Sequence, residues 1–214
     1  MITIKQITIL VLLTISAWSS EFDKAVATYN KGNYVQALNA FYVLAKEGDA
    51  QAQYNVALIY EHGKGVKKDR AQAMEWYEKA AKLGNGPAAY NLGQIYYHLE
   101  NDNPQKFERA KRWYELAAKK GVAQAHNNLA ALYLEGKGVE KNKITALEHF
   151  KKAAEMGSVN AQINLGVLYA WGEDVPNDKM KAYINFKKAL KAGKSEASSH
   201  LDKLCKESPW VCKN

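Results

Sequence analysis

Two cysteines, five histidines and a glycine-rich turn are the residues of this sequence whose types and spacing suit chemistry. Cys205 and Cys212 stand with six residues between them. A redox pair wants Cys-x-x-Cys near a helix start, which this spacing does not supply. A metal site there needs two further ligands, and none is evident. His62 and His98 each follow a tyrosine by two residues, at equivalent places. A metal held between them lacks a third ligand, because Glu135 stands one period further on. His126, His149 and His200 are scattered without ligand spacing. Gly63-Lys64-Gly65-Val66 lacks the spacing and the preceding strand of a phosphate loop, so it reads as a turn. No Gly-x-Ser-x-Gly, His-Glu-x-x-His or Glu-x-x-His occurs. The expectation is no catalytic residue, no metal and no cofactor.

The elements that carry these residues follow from composition and pattern. The 214 residues are 47% apolar and 24% charged, which excludes a disordered chain, and two cysteines exclude a disulfide-rich scaffold. Residues 1–19 carry one lysine, then the apolar run Ile7 to Ile15, then small residues around Trp18. That is the layout of a secretory signal cleaved after Ser19, with Ala17 as second choice. The chain is therefore expected to be exported, periplasmic or secreted. An oxidising compartment then favours a Cys205–Cys212 disulfide, closing a C-terminal cap with Trp210 over the last repeat.

The remainder repeats with a period of 36 to 37 residues. Asn55, Asn91, Asn128 and Asn164 each precede Tyr60, Tyr96, Tyr133 and Tyr169 by five residues, and Ala52, Ala88, Ala125 and Ala161 keep the register. Ala73, Ala110, Ala146 and Ala182 lead by four residues to Tyr77, Tyr114, Phe150 and Phe186. Ala81, Ala118, Ala154 and Leu190 follow, and Gly84, Gly121, Gly157 and Gly193 close each unit. Apolar positions at i, i+4 and i+8 predict two helices per unit. The alanines let helices approach, the rings fill the space beside them, and Asp69, Asn142 and Asp178 stand where N-caps belong. Ala118 is expected at a helix crossing. No hairpin buries both of its stripes alone, so hairpins must stack. The expected fold is all-α, a right-handed α-solenoid of about five antiparallel helical hairpins.

The pattern Ala-x-x-Asn-Leu-Gly-x-x-Tyr-x-x-Gly-x-Gly-Val, then Ala-x-x-Trp-Tyr-x-x-Ala-Ala-x-x-Gly, resembles the Sel1-like repeat, a relative of the tetratricopeptide repeat. It stands most fully in Ala52 to Val66 with Ala73 to Gly84. Residues 20–49 resemble a plain tetratricopeptide hairpin, 50–85, 86–122, 123–159 and 160–194 four Sel1-like repeats, and 195–214 a cap. The resemblance implies an exported adaptor or scaffold without catalysis, whose first helices line a concave face.

On that face the register places Tyr54, Asn55, His62, Tyr90, Asn91, His98, Asn127, Asn128, Asn164 and Trp171. Ile163 joins them as an apolar anchor. An asparagine amide donates and accepts, so such a ladder suits the backbone of an extended peptide, whatever its sequence. The same asparagines also suit packing between repeats, and that alternative stays open. A protein or peptide partner is expected, the narrower form being an inhibitor or immunity protein. Lys+Arg of 30 against Asp+Glu of 22 gives a net charge of +8, or +7 once Lys5 is removed (30 − 1 − 22). Lys79, Lys82, Arg109, Lys111, Arg112, Lys119, Lys120, Lys151, Lys152, Lys187, Lys188 and Lys191 fall mainly on second helices. An exported chain meets no nucleic acid, so this charge suits an envelope surface, the alternative function. A β-lactam hydrolase is a further alternative, but no Ser-x-x-Lys is present.

Overall fold

The computed structural model describes residues 20–100 and 103–213. The expected signal segment, residues 1–19, lies outside them. Among the described residues the chain is all-α. Helix α1 covers residues 20–30, and α2 covers Tyr34–Lys46. Four pairs follow: α3 Ala50–His62 with α4 Arg70–Lys82, α5 Gly86–Tyr97 with α6 Gln105–Lys119, α7 Ala123–Glu135 with α8 Lys143–Glu155, and α9 Val159–Trp171 with α10 Lys179–Lys191. Helix α11, Ala197–Glu207, and a 3-10 turn, Pro209–Cys212, end the chain. Two compact units divide between Leu92 and Gly93. In the first, α3 packs on α2 and α4; in the second, α6 to α11 each pack on the next.

Local chemistry sets the helix ends. The expected caps are found: Asp69, Asn142 and Asp178 accept from the backbone N–H of Gln72, Thr145 and Lys181. Asp49 and Ser158 do the same for α3 and α9. Gly63 and Gly136 end α3 and α7 at φ of +67° and +70°, a conformation that costs glycine little. Helix α6 is preceded by Pro104, which cannot cap it; Asn103 Oδ1 instead accepts from the backbone N–H of Gln105 at 2.9 Å.

The four rings, Tyr77, Tyr114, Phe150 and Phe186, are fully buried, as are Ala73, Ala110, Ala146 and Ala182. Two rings press against bare backbone. A Cβ on Gly93 would lie 2.6 Å from the Tyr114 ring, and one on Gly166 2.4 Å from Phe186. Ala118 corrects an expectation. The residues without exposure are Ala80, Ala117, Ala153 and Ala189, one position earlier, whereas Ala118 is only half-buried.

The cap is stapled by Cys205–Cys212, with Cα atoms 5.6 Å apart. Trp210, expected to cover the last repeat, is 60% exposed. Val211 and Leu204 take that place at 0% exposure, in one core with Phe186 and Ala189. Proline at 209 turns Ser208 to φ −140° and stops α11. The short 3-10 turn then points Val211 inward and its neighbour Trp210 outward. Among the described residues no helix is long and apolar enough to cross a membrane.

Candidate functional site

The first helices carry the residues expected on the binding face except His98, which stands in the turn after α5, and the two units use them differently. In the first unit, Asn55 folds back to donate to Gln51 O of its own helix at 2.9 Å. Asn91 instead donates to the Tyr77 hydroxyl at 3.1 Å, and that hydroxyl donates to Glu61 Oε2 at 2.5 Å. Burial first, and the Glu61 carboxylate next, hold the Tyr77 phenol well above its usual range. It therefore stays a donor and no base. Tyr54 stacks at an angle beside it, centroids 5.8 Å apart, and burial raises its phenol as well. Tyr90 is half-buried and His62 is exposed at the end of α3.

In the second unit the amides form a relay. Asn164 Nδ2 donates to Asn127 Oδ1 at 3.0 Å, Asn127 Nδ2 to Asn128 Oδ1 at 3.4 Å, and Asn128 Nδ2 to Gln94 Oε1 at 3.2 Å. The Tyr114 hydroxyl donates to the same Gln94 oxygen at 2.7 Å. Three successive first helices, α9, α7 and α5, are thereby tied by side chains whose donors all run one way. Asn127, Asn128 and Asn164 each spend one N–H on the row, and an amide carries two. Beside it opens a hollow of about 240 Å³ lined by Gln94, Tyr97, His98, Tyr114, Asn128 and Ala131. His98 is exposed on its rim and meets the Tyr97 ring edge-on at 5.0 Å.

Two expected anchors lie elsewhere. Ile163 is only 7% exposed and belongs to the core. Trp171 turns toward the cap: its Nε1 donates to Glu207 Oε2 at 2.6 Å, and its ring meets Phe186 and His200 at 6.0 and 6.2 Å. Lys203 Nζ sits 4.6 Å above it. The partners Tyr77 for Asn91 and Gln94 for Asn128, with Glu61 and Tyr114 one bond further on, are not among the expected site residues. A signal for them exists. The ring position is tyrosine where the facing helix offers Glu61 or Gln94, and phenylalanine where it offers Ala131 and Leu134, or Val167 and Ala170.

Tyr77 is held protonated, and the relay consists of neutral amides. Among the described residues no three His, Cys, Asp or Glu side chains stand together as metal ligands.

Comparison with known proteins agrees with this architecture. The Sel1 repeat is matched at residues 50–85, 86–122, 123–158 and 159–194. A Sel1 repeat protein from Oxalobacter formigenes is similar at 30% identity and TM-score 0.77, over 85% of this chain and 74% of its own. A protective antigen of uropathogenic Escherichia coli, which displays an SLR fold, is similar at 32% identity and TM-score 0.76 over 86% of this chain. This chain covers 42% of that antigen's length. No curated protein is significantly similar. The chain belongs to the Sel1 repeat family, whose fold is the α-solenoid.

Proposed function

We propose that this protein is an exported, non-catalytic scaffold that binds an extended segment of a partner protein along the first helices of its second unit. The observation that carries the reading is the relay from Asn164 through Asn127 and Asn128 to Gln94. Amides fixed in orientation before binding lose little side-chain freedom when a peptide backbone replaces water on them. Their neutrality favours backbone recognition over recognition of a charged terminus, and His98 with Tyr97 supplies a rim for one side chain. Sel1 repeat proteins are generally protein-binding scaffolds, which fits the same role. Export is supported by the character of residues 1–19 and by the disulfide.

The test is affinity capture from envelope extract with the full chain as bait. Beside it stand Asn127→Ala and the hollow-filling Ala131→Trp, both shown to be helical and to melt cooperatively. Capture of one partner by the parent, lost with either variant, supports the reading. If that partner is a toxin or envelope enzyme whose activity falls on binding, the role is inhibition or immunity. Equal capture by all three baits sinks the reading and leaves the amides as packing groups.

A further inference from the structure

Helix α10 carries five lysines and no acidic residue in its 13 positions. Helices α4 and α6 neutralise some of their cations along the helix. Lys79 pairs with Glu75 and Lys82 with Glu78 on α4, and Lys111 with Glu115 on α6, each at 2.7 Å. On α10 only Lys181 has such a partner, the N-cap Asp178 at 3.0 Å. Among the described residues no ion pair includes Lys187, Lys188 or Lys191.

These three lysines share a face with an exposed apolar residue. Ile184, Lys187, Lys188 and Lys191 stand at i, i+3, i+4 and i+7 and share one face. All four are exposed, Ile184 by 43%. Tyr183 and Leu190 complete a hollow of about 530 Å³ lined by α10 alone. No second helix walls the hollow, so it is an open face and not a cleft for a partner helix. An exposed isoleucine beside ammonium groups that have no carboxylate partner matches a surface that presents phosphates at its edge and hydrocarbon just beneath.

We propose that the outer face of α10 docks the protein on an anionic phospholipid bilayer, with Lys187, Lys188 and Lys191 at the headgroup phosphates and Ile184 among the upper acyl carbons. The docked protein keeps the first helices of the second unit, a separate set of residues, for its partner. The inference does not rest on the amide relay.

The test is co-sedimentation of the full chain with vesicles of phosphatidylcholine alone and with phosphatidylglycerol added to about one third. Binding is expected only to the anionic vesicles and is expected to weaken as salt shortens the Debye length. Each Lys→Gln change at 187, 188 or 191 lowers partitioning about five-fold, and the triple variant about a hundred-fold. Ile184→Asp lowers it as well. All four side chains are exposed, so helicity and melting should hold; were the triple variant to misfold, Ile184→Asp and the salt series decide. Equal binding to both vesicle types, as an inserted N-terminal segment gives, overturns the proposal. So does triple-variant binding equal to the parent's, or no vesicle binding at all, as for a face that serves an acidic protein.

Discussion

His126 on α7 and His149 on α8 meet nitrogen to nitrogen, with their Nδ1 atoms 3.0 Å apart. One nitrogen must carry a proton and the other must be bare, so the contact is lost once both imidazoles are protonated. The far side of His149 stacks on Tyr133, centroids 5.7 Å apart and planes within 13°. Burial depresses both imidazoles. His149 falls to about 4, pushed further by His126 and Lys152 and weakly opposed by Glu115 and Glu148. The sequence reading left both histidines as scattered, because their 23-residue separation becomes adjacency only across the α7–α8 hairpin.

Acid should therefore loosen this repeat. The unfolded imidazole takes a proton near its ordinary pKa of about 6.5, whereas folded His149 resists protonation until about 4. Its contribution is whole above about pH 6.5, falls as the pH drops toward 4, and is gone below that. With the exposed part of the ring discounted for screening, the loss is about 1–2 kcal/mol. Urea unfolding at pH 7.5 and 4.5 measures it. His149→Phe, which keeps a ring against Tyr133, should shrink the difference between the two pH values. An unchanged difference would assign the acid sensitivity to carboxylates such as Asp178, whose pKa the Lys181 backbone N–H and ammonium lower.

The alanine at the tight crossing was legible only in part. Ala-Ala pairs stand at 80–81, 117–118 and 153–154, and the period alone does not say which member faces the neighbouring helix. The last repeat breaks the tie: Ala189 is followed by Leu190, so the position that tolerates bulk is the second. Ala117→Leu should overpack the crossing and cost about 1–3 kcal/mol, while Ala118→Leu should stay within about 0.5 kcal/mol. Thermal melting of the two variants side by side decides it. A larger loss at 118 than at 117 would reverse the assignment.

Hydroxyls on the buried rings follow the same logic of partners. Tyr114 is 0% exposed and spends its O–H on Gln94, whereas beside Phe150 the positions equivalent to Gln94 and Glu61 are Ala131 and Leu134, which offer no side-chain acceptor. Phe150→Tyr should destabilise by about 1–3 kcal/mol through an unsatisfied buried hydroxyl. Adding Ala131→Gln, which copies the Gln94 arrangement, should recover part of that. Tyr114→Phe should cost about 1 kcal/mol, because Gln94 still accepts from Asn128. Absence of rescue in the double variant would argue against the hydroxyl pairing. The asparagine register was visible in the sequence, since period and residue type repeat together. The acceptors leave only the Tyr-or-Phe choice at the ring position as a trace, because Glu61 and Gln94 fill different positions of their repeats and meet equivalent rings only in three dimensions.

At the end of the solenoid, order depends on a covalent link as well as on packing. Leu204 and Val211 plug the core beside Phe186, and Cys205–Cys212 holds Val211 there from a turn of four residues. The cap also reaches α9 through Glu207 on Trp171. Closing so short a loop constrains the unfolded chain by about 2–3 kcal/mol on the chain-entropy model. Cys205→Ser with Cys212→Ser should speed amide exchange in α11 and at Trp171 while α7 and α8 keep their protection. It should also shift tryptophan emission, because Trp171 gains solvent as Glu207 moves away. Exchange accelerating equally through α7 to α11 would mean instead that the staple stabilises the whole second unit as one cooperative body.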